Sequence, residues 1–154
     1  ERKFTPCKNV ILGFLENNQA VKPQQEYVLK ERTGNTEILN FQDPTPHLLR
    51  SKFFVLPADI VYLNFSLLEA MSHGVVPIVS NVDGVGEIVT DGVDGIIAEH
   101  SKQGFKAAME KARNISESKY EEMSQMARKK IINKFSIESW ALGLNNLYQK
   151  IQTK

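Results

Sequence analysis

The sequence predicts an α/β fold in which helices cover both faces of a parallel β-sheet and further helices end the chain. Two observations support this prediction. Short apolar runs alternate with segments of helical periodicity over residues 10–98, as in βαβ units. Residues 52–56 are apolar at nearly every position, which is typical of a parallel strand buried on both faces.

Composition limits the class of protein. The chain has 154 residues, enough for one domain (1–154) with one core. Its 42% hydrophobic and 24% charged residues exclude a disordered or fibrous chain. Because 19 basic residues balance 18 acidic ones, at a net charge of +1, we expect no nucleic-acid partner.

Cysteine and histidine usage predicts neither a disulfide nor a metal site. Cys7 is the single cysteine, and His47, His73 and His100 are scattered without metal-ligand spacing. We therefore expect no bound metal or other cofactor. No apolar run reaches the roughly 18 residues of a spanning helix, and we expect no signal peptide. These features predict a cytoplasmic protein.

Five apolar runs predict strands, and the segments between them predict helices. The strands are residues 10–14, 37–41, 52–56, 75–80 and 96–98. The helices are residues 19–32 with Gly34 as a stop, a short one from 43–46 to Ser51, 64–74 with Gly74 as C-cap, and 84–89. Residues 91–95 contain two Asp-Gly-type steps and predict a turn rather than a calcium loop.

The region after residue 101 predicts only helices. Phe105, Ala108, Met109 and Ala112 share one face. A second helix follows a capping-box pattern at Ser118 and Glu121. The last helix has Ser136 as its expected N-cap. Its apolar face includes Trp140 and Tyr148, and we expect that face to belong to the core, with a domain interface as the alternative.

The turn after strand 52–56 is the best candidate for a ligand site. Ligands of open α/β sheets bind beyond the carboxyl ends of the strands. A helix that starts near Ser66 offers unpaired N–H groups and a positive dipole end to an anionic diphosphate. Glu69, one turn further, has a carboxylate that can accept two hydrogen bonds from a ribose diol. The alternative is that Glu69 only favours the helix N-terminus.

Residues 66–80 contain the string Glu-Ala-Met-x-x-Gly-x-x-Pro, which closely resembles the signature of the GT-B-fold family 4 glycosyltransferases. The resemblance continues through Gly-Val-Gly-Glu-Ile-Val at 84–89 and Asp-Gly-Val-Asp-Gly at 91–95, and in register to about residue 151. It implies the Rossmann-like C-terminal half of a two-domain enzyme. Such enzymes take a sugar from a nucleotide diphosphate and retain its anomeric configuration.

The resemblance also implies roles for individual residues. Glu69 matches the glutamate that holds the ribose hydroxyls of the nucleotide. Asn64, Phe65 and Ser66 match the helix start whose amides face the diphosphate. Gln42 belongs to a turn that matches a strand end near the base. The implied partners are a nucleotide-sugar donor, an N-terminal acceptor domain, and a glycan or lipid-linked acceptor, which adds peripheral attachment at the inner membrane face as an alternative location.

The sequence departs from this pattern at several positions. The family signature has two glutamates separated by seven residues. Glu69 matches the second, and the first would fall at Val61. The Pro-Ser of the family is Pro57-Ala58 in this sequence. In the family, Gly-Arg and Lys-Gly elements in the first strand and helix of this domain bring basic residues to the diphosphate. We find no match to them in this sequence, and Lys22 is a weak substitute. Because the chain also begins without Met at Glu1, we interpret it as a fragment. The leading hypothesis is a transferase donor domain. Its alternatives are a degenerate, non-catalytic binding module and, less favoured, another enzyme on this fold such as a nucleotide-sugar epimerase.

Overall fold

The computed structural model describes Lys8–Leu12, Thr36–Leu39 and residues 43–152. These residues form five strands, six α-helices and one π-helical turn. The strands are β1 (Lys8–Leu12), β2 (Thr36–Leu39), β3 (Ser51–Leu56), β4 (Val76–Ser80) and β5 (Ile96–Ala98). The helices are α1 (Thr45–Leu48), α2 (Phe65–Ser72), α3 (Val85–Ile88), α4 (Lys102–Arg113), α5 (Glu117–Lys130) and α6 (Ile137–Gln152). The π-helical turn spans Ile131–Phe135, between α5 and α6.

The five strands form one parallel sheet in the order β2-β1-β3-β4-β5. Its central register pairs Val10 with Phe54 and Val55 with Ile78. From β1 the chain moves to β2 on one side, and β3 then lies on the other side of β1. In open α/β sheets, ligands bind beyond the carboxyl ends of the strands at such a reversal of strand order. The predicted parallel α/β architecture is confirmed.

Apolar side chains pack on both faces of the sheet. Successive residues of a strand point to opposite faces, so Val55 and Ile78 join one core cluster with Phe105 of α4. Phe54 and Val79 join a second cluster on the other face, together with α2. Helix α5 contributes to both clusters. This two-sided burial explains why β3 is apolar at consecutive positions.

Most predicted elements occur, with shifted ends. The helix predicted to reach Ser51 ends at Leu48, because Ser51 already pairs with β1 as the first residue of β3. Asp43 accepts a hydrogen bond from the Thr45 backbone N–H at 2.9 Å, and this bond lowers the pKa of its carboxyl below its ordinary value. Gly74 follows α2 with φ of 71°, as expected of a glycine beyond a helix C-terminus. The helix predicted over 19–32 lies outside the described residues.

Serine side chains cap the three C-terminal helices. Ser101 accepts from the Gly104 amide at 3.0 Å, Ser116 from Lys119 at 3.3 Å and Ser136 from Ser139 at 3.2 Å. The cap predicted at Ser136 is confirmed. The capping box predicted at Ser118 is wrong, because the backbone of Ser116 is extended and α5 already begins at Glu117.

Helix α6 leaves its apolar face exposed to solvent. Ile137 is 74% exposed and Trp140 is 66% exposed, and α6 buries none of its residues among those described. The prediction that this face belongs to the core is therefore wrong. The physical reason is that α6 packs mainly on the π-helical turn before it rather than on the sheet. In the part of the chain that the structure describes, no helix combines the length and apolarity needed to span a bilayer.

Candidate functional site

Helix α2 starts beyond the carboxyl end of β3, where the strand order of the sheet reverses. It follows the loop of residues 57–64, which leaves the carboxyl end of β3 and is called the β3–α2 loop below. The Asn64 side chain caps the helix by accepting a hydrogen bond from the Leu67 amide at 2.9 Å. The N–H groups of Phe65 and Ser66, in the first turn, have no acceptor within the helix. The predicted helix start is confirmed, and its open donors lie at the carboxyl edge of the sheet.

Asn64 shapes this helix start with both its backbone and its side chain. Its own N–H donates to the carbonyl oxygen of Tyr62 at 2.7 Å, and its carbonyl accepts from Leu68 at 3.1 Å. Of the three residues assigned to the diphosphate, Phe65 and Ser66 therefore keep available N–H groups, while Asn64 orients them.

Glu69 lies one turn into α2, and its side chain is exposed. Its carboxylate makes no hydrogen bond or ion pair with any other residue that the structure describes. Ser66 is half-buried three residues earlier, so both side chains lie along one side of the helix. His73 ends the same helix, and its Nδ1 lies 2.8 Å from the Glu69 carbonyl oxygen. The His73 ring thus contacts a carbonyl group in the last turn of the helix.

Val61 is a core residue. It is fully buried in the second cluster, near Leu67, Val85 and Ile88. Its N–H donates to the Asp83 carbonyl oxygen at 3.0 Å. The position at which the family signature has its first glutamate therefore faces the interior, and an ionised carboxylate there would be desolvated at high cost.

An exposed apolar rim surrounds the start of α2. Its members are more than half exposed: Ile60, Tyr62, Leu63 and Phe65. The sequence interpretation missed this rim because residues 53–63 form one apolar run in which strand and loop are hard to separate. Pro57 and Asp59 are the residues that mark the break. Beyond the strand ends, His100 Nε2 lies 3.2 Å from Asp59 Oδ1 and joins the loops after β3 and β5.

Two aspartates close the turn after α3, as predicted for residues 91–95. Asp91 accepts from the Ile97 amide at 2.8 Å, and Asp94 accepts from the Thr90 amide at 2.7 Å. Within the described residues, no group of three or more histidine, cysteine or acidic side chains is arranged to hold a metal ion. Gln42 and Lys22 lie outside the described residues, so their assignments stay predictions.

A parallel sheet with this strand order and an open helix start beyond its central strand define an open α/β class of domain, in which ligands bind beyond the carboxyl ends of the strands. The sequence matches the model of the family described as "Glycosyl transferases group 1" over residues 1–130. The chain belongs to this family.

Two curated relatives extend the comparison. The chain is 28% identical over 143 residues to the capsular polysaccharide biosynthesis glycosyltransferase CapM of Staphylococcus aureus, covering 92% of this chain and 37% of the relative. It is 31% identical over 143 residues to the Escherichia coli UDP-Gal:alpha-D-GlcNAc-diphosphoundecaprenol alpha-1,3-galactosyltransferase, covering 88% and 34%. The chain therefore spans about a third of the length of these relatives.

Solved structures share the fold at low identity. Sucrose-phosphate synthase of Thermosynechococcus elongatus superposes with a TM-score of 0.69 at 14% identity, over 94% of this chain and 38% of the other. The Anabaena protein HepE, solved in complex with UDP, gives a TM-score of 0.60 at 14% identity, over 76% and 33%. These likenesses confirm the GT-B-type fold of the domain.

Proposed function

We propose that this chain is the donor-binding domain of a retaining glycosyltransferase and that it binds a nucleotide-diphosphate sugar at the start of α2. One observation carries the proposal. The exposed Glu69 carboxylate, which has no partner among the described residues, lies one turn beyond the open N–H groups of Phe65 and Ser66. N–H donors for an anion and a carboxylate acceptor for a diol thus lie within about one turn of the same helix.

The chemistry of each group fits a part of the donor. N–H groups at a helix N-terminus bind phosphate oxygens without a basic side chain. A carboxylate accepts hydrogen bonds from both hydroxyls of a ribose. As the nucleoside diphosphate departs, negative charge grows on its oxygens. Donors fixed in advance at those oxygens stabilise the transition state. The proposal requires no metal ion.

The relatives favour a role in glycan or polysaccharide biosynthesis. The name of the Escherichia coli relative specifies a UDP-sugar donor and a diphosphoundecaprenol-linked acceptor. HepE was solved with UDP, and the Staphylococcus aureus relative acts in capsular polysaccharide biosynthesis. We extend this to a nucleotide-sugar donor, a second domain that binds a glycan or lipid-linked acceptor, and a cytoplasmic or peripheral membrane location.

The buried Val61 supports a second candidate, a binding module without transferase activity. In the family signature, this position carries a carboxylate that contacts the donor sugar. Here it supplies packing instead. Under this alternative, Glu69 and the helix start still bind a nucleotide, and no sugar is transferred.

Calorimetric titration of this chain with UDP, GDP and their sugar forms tests the proposal. Each nucleotide is titrated into the wild type and into Glu69→Gln. We expect binding of one nucleotide, weakened about tenfold or more in Glu69→Gln by the loss of charge-assisted hydrogen bonds. Glu121→Gln, an exposed helix carboxylate on α5, is the matched control. Equal affinities of wild type and Glu69→Gln would refute the site.

A sugar-transfer assay distinguishes the transferase from the binding module without activity. A polypeptide that joins this chain to an acceptor domain is assayed for sugar transfer with and without Glu69→Ala. Transfer that is lost in the variant supports the transferase. Nucleotide binding without transfer in the unsubstituted protein supports the binding module.

A further inference from the structure

Two lysines from the C-terminal half of the chain reach the short helix α3. Lys134 Nζ donates to the carbonyl oxygen of Glu87 at 2.9 Å, and Lys130 Nζ donates to that of Ile88 at 3.1 Å. They lie four residues apart and so share one side of a helical segment. The last carbonyls of a helix have no intrahelical partner, and a cation there also interacts favourably with the helix dipole. The two lysines therefore fix the C-terminal end of α3.

Lys130 is itself held in place by a buried carboxylate. Its Nζ forms an ion pair with Asp94, whose side chain is 1% exposed, and donates to Thr90 Oγ1 at 2.8 Å. The second oxygen of Asp94 accepts from the Thr90 amide at 2.7 Å. A buried carboxylate without its cation is costly. The Asp94 pair therefore strongly restrains the direction of the Lys130 side chain.

The N-terminal end of α3 is bound to the β3–α2 loop. Asp83, directly before Gly84, accepts a hydrogen bond from the Val61 N–H at 3.0 Å. Gly84 has φ of 86°, and a Cβ atom there would lie 1.9 Å from the Val61 carbonyl oxygen. Val61 leads into the N-cap Asn64 in the same loop. Helix α3 thus connects the two lysines at one end with the start of α2 at the other.

We propose that Lys130 and Lys134 are positioning residues for the donor site. They hold α3 so that its preceding turn fixes Val61, and through Val61 the open N–H groups at the start of α2. This inference rests on the proposed function for the identity of the ligand, while the mechanical connection is independent of it. In this proposal, both lysines act through α3 and neither needs to contact the donor.

Lys134→Met is the primary test, because this lysine is half-exposed and its loss leaves no buried charge unpaired. UDP and GDP affinities are measured by calorimetry, and hydrogen exchange is measured at the Val61 and Leu67 amides. We expect about threefold weaker nucleotide binding, equivalent to one net hydrogen bond, with faster exchange at Val61. Lys134→Arg should restore both, because a guanidinium can donate to the same carbonyl.

Two controls separate positioning from general destabilisation. Lys129→Met makes the same change of charge at an exposed neighbour. Lys52→Met removes an ion pair with Glu117 and a ring contact with Tyr120, away from α3. Neither should change nucleotide affinity at matched thermal stability.

Lys130→Met leaves Asp94 buried and unpaired, so it carries a risk of unfolding. The double variant Lys130→Met/Asp94→Asn removes both charges and is compared with Asp94→Asn alone. We expect faster exchange at Val61 in the double variant. Unchanged Val61 exchange in both this variant and Lys134→Met overturns the positioning role. If the wild type binds neither nucleotide, the proposed function fails, and the Val61 exchange rates still decide the mechanical connection.

Discussion

The backbone of Gly84 lies so close to the carbonyl oxygen of Val61 that a Cβ atom would be 1.9 Å away from it. Gly84 also has φ of 86°, in the left-handed region that residues with a side chain rarely adopt. Both constraints act on the turn that joins β4 to α3. Because the contact atom is backbone, no side-chain rotation can relieve it.

Gly84→Ala should therefore destabilise the domain by roughly 3 kcal/mol, combining left-handed strain with a displaced loop. Urea-induced unfolding measures this change. Gly86→Ala is the matched control, because a Cβ atom there has no neighbour within 4 Å. It lies in α3, where alanine is favoured over glycine by about 0.5–1 kcal/mol. Similar unfolding free energies for the two variants would contradict the close contact.

Asn64→Asp separates the capping role of this residue from binding. Aspartate caps a helix as well as asparagine does, so the free energy of unfolding should change by less than about 0.5 kcal/mol. The added negative charge lies beside the N–H groups assigned to the diphosphate. We expect about tenfold weaker nucleotide binding at low salt, and a smaller loss at high salt because exposed charges are screened.

The comparison for Asn64→Asp is Asn64→Ala, which loses the bond to the Leu67 amide and should cost about 1 kcal/mol of stability. Undiminished binding by a stable Asn64→Asp would place the diphosphate elsewhere.

The sheet was predictable because its strands are locally distinct. The continuous apolar run of β3 indicates a buried strand, and the glycine after α2 indicates the end of a helix. Both signals are local and need no other part of the chain. Helix α6 shows the limit of that reasoning. Its spacing predicts an apolar face correctly, yet periodicity says nothing about whether another element covers that face. Ser116 shows a second limit, since Ser116 and Ser118 are both candidate N-caps by sequence and only the extended backbone of Ser116 identifies it as the cap.

The candidate site was predictable where it depends on a single helix. Asn64, Ser66 and Glu69 share one local geometry that follows from the start of α2. The Lys130–Asp94 pair was not predictable, because its two residues are about 36 positions apart in the sequence and belong to different elements, α5 and the turn at 91–95. The burial of Val61 was equally hidden, since it depends on packing between the β3–α2 loop and α3. Contacts between elements distant in sequence are fixed by the tertiary fold alone.

Ser80 offers a test in which removing a polar group should stabilise the protein. Its side chain is fully buried at the end of β4, and its Oγ has no hydrogen-bond partner within the described residues. Ser80→Ala removes a desolvated hydroxyl and should raise the unfolding free energy by about 1 kcal/mol. Ser51→Ala is the matched change in β3, where Oγ donates to the His47 carbonyl oxygen at 2.7 Å. It should lower the unfolding free energy by a similar amount. Chemical unfolding of both variants measures the difference, and a destabilised Ser80→Ala would mean that the hydroxyl has a partner in solution.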